Sequence, residues 1–153
     1  MKFTGQTDIK ASLNQTFEAF ADFESFQRIA MRQGVEVERA DALATPGRGM
    51  TWRVRADFRG KTRRFDVELS DYEPPDMLLY TASSDMFDVT MRNELARLSA
   101  KETRVNLTID VTPKSIAARL ILQSARLTRS ALNARLKKGM QRLGDRIEKR
   151  ATA

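Results

Sequence analysis

Apolar side chains recur every second residue through the middle of the chain and every third or fourth residue near both ends, which predicts strands between helices. From Lys2 to Ala11, Phe3, Gly5, Thr7 and Ile9 share one parity and Thr4, Gln6, Asp8 and Lys10 the other, the mark of a strand with one modestly apolar face. Ser12 followed by Gln15 is a capping box, in which the serine hydroxyl takes the amide three residues on and the glutamine side chain reaches back, so a short helix should begin there. Phe17, Phe20 and Ala21 give it an apolar face. Asp22 is a second cap, and Phe23, Phe26, Ile29 and Ala30 continue the helical spacing to Gly34, predicting two short helices or one broken one.

From Val35 to Pro113 the period is two. Val35, Val37 and Arg39 form a short strand, and Thr45, Pro46, Gly47 and Gly49 mark a loop. Met50, Trp52, Val54, Ala56 and Phe58 alternate with Thr51, Arg53, Arg55 and Asp57. After a turn at Arg59, Gly60 and Lys61, the return strand alternates Phe65, Val67 and Leu69 with Arg64, Asp66, Glu68 and Ser70. It stops before Pro74 and Pro75, which have no amide to donate to a ladder. Met77 to Ser84, Phe87 to Ala100 and Thr103 to Thr112 supply three more strands, with Lys101 and Glu102 as a tight connection. Short connections join antiparallel neighbours, so the segment is a meander.

Ser115 to Arg150 has Ile116, Leu120, Leu127, Ala131, Leu132, Leu136, Met140, Leu143 and Ile147 at helical spacing, enough for about ten turns of one helix. Gly139 and Gly144 each weaken a helix interior by about 1 kcal/mol relative to alanine, so bending or fraying is expected over the last turns.

The order of these elements resembles the START-like, or SRPBCC, superfamily with its helix-grip fold. The resemblance spans nearly the whole chain. It rests on Ile9, Lys10, Ala11 and Ser12 leading into the aromatic helix of Phe17, Phe20 and Phe23; the Met50 to Leu69 hairpin; Tyr72, Glu73, Pro74 and Pro75 before Leu78, Leu79 and Tyr80; and the strand to Pro113 feeding the last helix. It lies in order and pattern and includes no signature motif. It implies an α+β fold in one START-like domain over 1–153, with a curved antiparallel sheet of about seven strands wrapped around a long C-terminal helix and an elongated apolar cavity between them. Members bind lipids, sterols, polyketides, quinones or plant hormones, and some are cyclases or hydrolases.

Composition narrows the chemistry. The 153 residues include no histidine and no cysteine, which excludes a thiolate nucleophile, a Ser-His-Asp triad, an imidazole base and the usual structural zinc sites. Asp, Glu, Lys, Tyr and Ser are left for catalysis, and no metal or cofactor is expected. No stretch approaches the ~20 apolar residues of a membrane span, and Met1 to Ser12 has no signal-peptide core, so a soluble, cytoplasmic protein is expected.

Trp52, the one tryptophan, shares the inward parity of its strand with Val54, and Phe65, Val67, Tyr80, Phe87, Met91, Leu107 and Ile109 complete the strand side of an expected ligand-binding lining. Leu120 and Leu127 are its expected helix side. Ordinary core packing is the plainer role for each alone. Asn93 shares the parity of Phe87, Val89, Met91 and Leu95, and a buried amide needs a partner, which makes it the leading candidate for a polar ligand contact. Arg97, of the same parity, should reach solvent at the strand end. The face of Tyr80 is open, because Leu78 and Leu79 leave that strand undecided. Asp85 and Asp88 could be imagined as an acid/base pair, but they lie near a turn, and turn chemistry is their plainer role.

The charge is concentrated. Lys114 to Arg150 holds 11 Lys and Arg against Asp145 and Glu148, a net +9, whereas the preceding residues hold 16 basic and 18 acidic side chains, a net −2. A solvated outer helix face is one reading; contact with nucleic acid such as RNA, an anionic membrane surface or an acidic partner protein is another. A second basic patch, Arg59, Lys61, Arg63 and Arg64, fits an ordinary charged turn. The helix has no aromatic residue on which a base would stack, which argues against nucleic acid. Three functional readings follow. They are binding of a hydrophobic or amphipathic small molecule, an enzyme of the polyketide cyclase/dehydrase type, and an interaction protein using the basic helix.

Overall fold

The computed structural model describes residues 1–58 and 60–152, so Arg59 of the expected turn and basic patch lies outside the described residues. In chain order the elements are β1 (Lys2–Ile9), α1 (Leu13–Phe20), α2 (Phe23–Arg32), β2 (Glu36–Arg39), β3 (Thr51–Phe58), β4 (Lys61–Glu73), β5 (Met77–Ser83), β6 (Phe87–Ser99), β7 (Glu102–Pro113), α3 (Ile116–Leu127) and α4 (Arg129–Thr152). Among these, no helix is long and apolar enough to cross a membrane.

The capping box forms as its spacing predicts. Ser12 Oγ accepts from the Gln15 amide at 3.2 Å, and Gln15 Oε1 accepts from the Ser12 amide at 3.1 Å. Asp22 caps α2 by accepting from the Ser25 amide at 3.2 Å. Each cap satisfies an amide that the first helical turn leaves without a partner.

The seven strands form one antiparallel sheet ordered β1-β7-β6-β5-β4-β3-β2. Sequential hairpins set β2 to β7, and the chain's first strand then pairs with its last. The register aligns inward positions in rows across the sheet. One row runs Gly5, Leu107, Asn93, Leu78, and the next runs Phe3, Ile109, Met91, Tyr80, Leu69. A register shift between Leu69 and Asp71 changes the parity of β4 beyond that point, whereas the shift in β6 falls between Arg97 and Ser99. Asn93 therefore keeps the inward face.

The C-terminal segment departs from the expected single helix. It breaks at Thr128, which caps α3 and whose hydroxyl donates to the Ala125 carbonyl at 3.2 Å. α4 then runs unbroken through Gly139 and Gly144, where bending was expected. The middle and C-terminal part of α4 are held by packing. A Cβ on Gly5 would lie 2.5 Å from Met140 Sδ and one on Gly144 would lie 3.2 Å from Ile9 Cγ1, so two glycines let α4 approach β1 closely. Glu148 accepts from the Lys10 amide at 2.8 Å. Met140 and Ile147 of α4 join Ile9, Leu69, Leu78 and Val105 in the core.

The phase of the apolar residues explains what α3 does. Within α3, at about 100° per residue, Ile116, Leu120 and Leu127 fall within about 40° of one another, roughly opposite Ala118, Leu122 and Ala125. Accordingly Ala118 is buried against the body, while Ile116, Leu120 and Leu127 are exposed.

Candidate functional site

The inner face of the sheet, α2 and α4 together line an open-sided cavity of about 640 Å³, within the ~300–1,000 Å³ range of small-molecule sites. Its strand wall is Trp52 and Val54 from β3, Val67 from β4, Tyr80 and Ala82 from β5, Val89, Met91 and Asn93 from β6, and Leu107 from β7. The period-two pleat puts all of these on one side of the sheet. Opposite stand Phe20 at the end of α1, Phe23, Phe26, Gln27 and Ala30 of α2, and Leu136, Gly139, Met140 and Leu143 of α4, with Val37 on the edge strand. The exposed Gly139 and Arg135 belong to its rim.

The α2 wall arises from helical spacing. Phe23, Phe26, Gln27 and Ala30 recur at three and four residues and so share a face. An aromatic chain anchors that face to the sheet, with ring centroids 5.7 Å apart for Phe23 and Trp52 and 6.2 Å for Trp52 and Tyr80. Such tilted pairs add to the stabilisation from burial alone.

Polar groups in the lining are few. Asn93 is only 5% exposed and its side chain lines the cavity. Tyr80 faces inward, which resolves its strand's open orientation. Burial, with a smaller contribution from neighbouring Tyr72, raises its phenol above the usual tyrosine range. The hydroxyl is thus a neutral donor and acceptor across the ordinary pH range. Gln27, Arg135 and the indole N–H of Trp52 are the other hydrogen-bonding groups among the lining side chains.

Of the residues the sequence nominated, Trp52, Val54, Val67, Tyr80, Met91, Asn93 and Leu107 line this cavity. Phe65, Phe87 and Ile109 have the inward parity but lie outside it. Phe65 sits opposite Val54 farther along the hairpin, Phe87 starts β6 opposite Pro113, and Ile109 packs into the core between Phe3 and Met91. Leu120 and Leu127 are on the outer face of α3, 58% and 90% exposed, and do not reach the cavity. Arg97 is exposed at its strand end. Asp85 and Asp88 are exposed, Asp88 accepting from the Ser83 hydroxyl at 2.8 Å and Asp85 facing Arg63 at 3.9 Å, which is turn chemistry.

The α2 wall and the α4 triplet of Leu136, Met140 and Leu143 lie outside the lining expected from the sequence. Their signal was present as helical periodicity. Periodicity marks an apolar face without telling whether it meets a core or a space.

An antiparallel sheet gripping a C-terminal helix over an apolar cavity defines the helix-grip, START-like class. The chain belongs to the family described as polyketide cyclase / dehydrase and lipid transport, whose model matches residues 1–148. Comparison of the sequence with curated proteins gives no match. Among solved structures, the Zhui aromatase/cyclase of a Streptomyces species is similar, with 15% identity, a TM-score of 0.71 and coverage of 98% of this chain and 94% of that one. A START superfamily protein from Mycobacterium smegmatis has 16% identity and a TM-score of 0.57, over 88% of this chain and 95% of that one. A conserved protein from Geobacillus kaustophilus has 15% identity and a TM-score of 0.58, over 97% and 96%. At these identities the likeness concerns the fold.

Proposed function

We propose that the protein binds a hydrophobic or amphipathic small molecule of the lipid, quinone or polyketide type in the cavity between sheet, α2 and α4. The observation that carries this reading is a largely apolar lining with the nearly buried amide of Asn93 set in it. A large apolar space offers affinity by removing apolar surface from water, and one or two placed polar groups fix the ligand's orientation. Asn93 serves as donor or acceptor to a ligand carbonyl or hydroxyl, Tyr80 as a second such group, and Trp52, Val54, Val67, Met91 and Leu107 as the apolar contacts. The binding reading is preferred to an acid/base enzyme because the lining offers Tyr80 and Arg135 as its titratable side chains and no carboxyl. General acid/base work at neutral pH calls for a group poised near 7.

Trp52, as the single tryptophan, makes the site its own reporter. Titration with 1-anilinonaphthalene-8-sulfonate (ANS) should quench Trp52 emission through energy transfer to the bound dye, and ubiquinone-1 or a long-chain fatty acid should displace it. Native mass spectrometry of freshly purified protein should show a copurified mass released by organic extraction. Absence of saturable quenching together with no retained mass would count against the proposal.

A further inference from the structure

Three of the six most exposed large apolar side chains among the described residues lie on α3: Ile116 at 78%, Leu120 at 58% and Leu127 at 90%. They form one stripe, whereas the opposite side of the same helix, with Ala118, packs toward β7. A helix apolar on two sides is normally covered on both, and here one side has no cover. Arg119 and Arg126 flank the stripe, and no acidic residue occurs between Asp110 and Asp145. Over that interval α4 adds Arg129, Arg135, Lys137 and Lys138, all exposed.

We propose that α3 docks on an anionic lipid bilayer, inserting Ile116, Leu120 and Leu127 at the headgroup boundary while the surrounding guanidinium and ammonium groups contact lipid phosphates. Charge complementarity selects this occupant. A second copy meeting the same stripe would oppose Arg119 and Arg126 with like charges, and three aliphatic side chains supply far less than the ~1,200 Å² of a stable dimer. A protein partner would be expected to find aromatic anchors, which α3 lacks. Aliphatic side chains on one face with arginines beside them is the composition of a helix lying in a membrane interface, where the arginine stems also bury against the acyl boundary. The position of α3 gives docking a use. It leaves the sheet just past Pro113, at the end where Val89, opposite Val111, lines the cavity, and Arg135 at the cavity rim follows two turns into α4. An apolar ligand would thus be exchanged beside a lipid phase.

The test is cosedimentation of the full chain with phosphatidylcholine vesicles, with and without phosphatidylglycerol. Binding is expected to vesicles containing phosphatidylglycerol, to be weak without it, and to fall as salt rises from about 0.1 M to about 1 M, which shortens the screening length from about 10 Å to 3 Å. Leu120→Ser/Leu127→Ser should weaken it roughly tenfold, with thermal stability and ANS binding unchanged because neither leucine lines the cavity. Arg119→Gln/Arg126→Gln should weaken it and flatten the salt dependence. No binding to phosphatidylglycerol vesicles at low salt would overturn the proposal. So would binding that salt abolishes but leucine replacement leaves intact, which would assign it to the basic face of α4 alone. A dimer dissociated by Leu127→Ser, or association with polyglutamate that leucine replacement weakens, in either case without vesicle binding, would transfer the surface to a second copy or to an acidic protein.

Discussion

Replacing Asn93 with leucine separates the two demands on the candidate site. Asn93 lies in β6 between Leu78 of β5 and Leu107 of β7, and it is 5% exposed. In the free protein its amide is nearly removed from bulk water and faces a largely apolar cavity, and a poorly compensated amide there costs about 1–3 kcal/mol by mutational data. Leucine has the same branching and number of side-chain heavy atoms and no polar group, and the adjoining cavity takes up its larger methyl groups, so Asn93→Leu should stabilise the free protein by about that amount. At about 2–4 °C per kcal/mol for a chain of this size, the melting temperature should rise by roughly 3–10 °C. The ligand should report the opposite sign. A hydrogen bond worth about 0.5–1.5 kcal/mol is lost, so affinity for ubiquinone-1, followed by Trp52 quenching, should fall roughly threefold to tenfold relative to that for ANS. A lower melting temperature with unchanged relative affinity would refute the reasoning, because it would mean the amide holds the strands together and has no part in recognition.

Other outcomes follow from the remaining polar and packing features. Asp41 accepts from Arg39 at 3.0 and 3.1 Å, from the Thr51 amide at 2.9 Å and from the Leu43 amide at 3.0 Å, and the Arg39 bonds first, then the backbone amides, hold its carboxyl below the usual aspartate range. Its contribution to stability is therefore present above the unfolded value of about 4 and is lost as pH falls through the lower folded value, so Asp41→Asn should reduce the melting temperature at neutral pH but not in strong acid. The Tyr80 phenol should ionise above the unperturbed value of about 10 in ultraviolet titration; since the unfolded chain ionises first, its contribution is present below that pH and lost as pH rises further. Gly139→Ala adds a Cβ with nothing within 4 Å and should stabilise α4 by about 0.5–1 kcal/mol in denaturant unfolding. Gly144→Val pushes against the fully buried Ile9 and should cost about 1–3 kcal/mol in the same measurement.

Much of this was legible residue by residue. The alternation of Trp52, Val54 and Val67, and of Met91 and Asn93, marks one face of a pleated sheet because successive side chains point to opposite sides, and that rule needs no tertiary information. The cap at Ser12 and Gln15 depends on atoms three residues apart. The composition sets a lasting limit on chemistry: without histidine or cysteine, no arrangement in space can supply an imidazole or a thiolate.

What periodicity could not provide was the partner of each face. Phe65, Phe87 and Ile109 share the parity of the cavity residues but lie outside the cavity, because parity does not mark where along a strand α2 and α4 stand off from the sheet. The helices make the same point. Phe23, Phe26 and Ala30 present a face to open space, whereas Met140 and Ile147 present theirs to β1, drawn close by Gly5 and Gly144. Leu120 and Leu127 are instructive because helical spacing places them with Ile116 on one side of α3, opposite Ala118. Which of those two sides meets the body was decided by the break at Thr128 and the packing of Ala118. Local patterning thus determined the elements and their inner and outer faces. The cavity, its amide and the uncovered stripe of α3 came from how those faces meet, which depends on contacts between residues far apart in the chain.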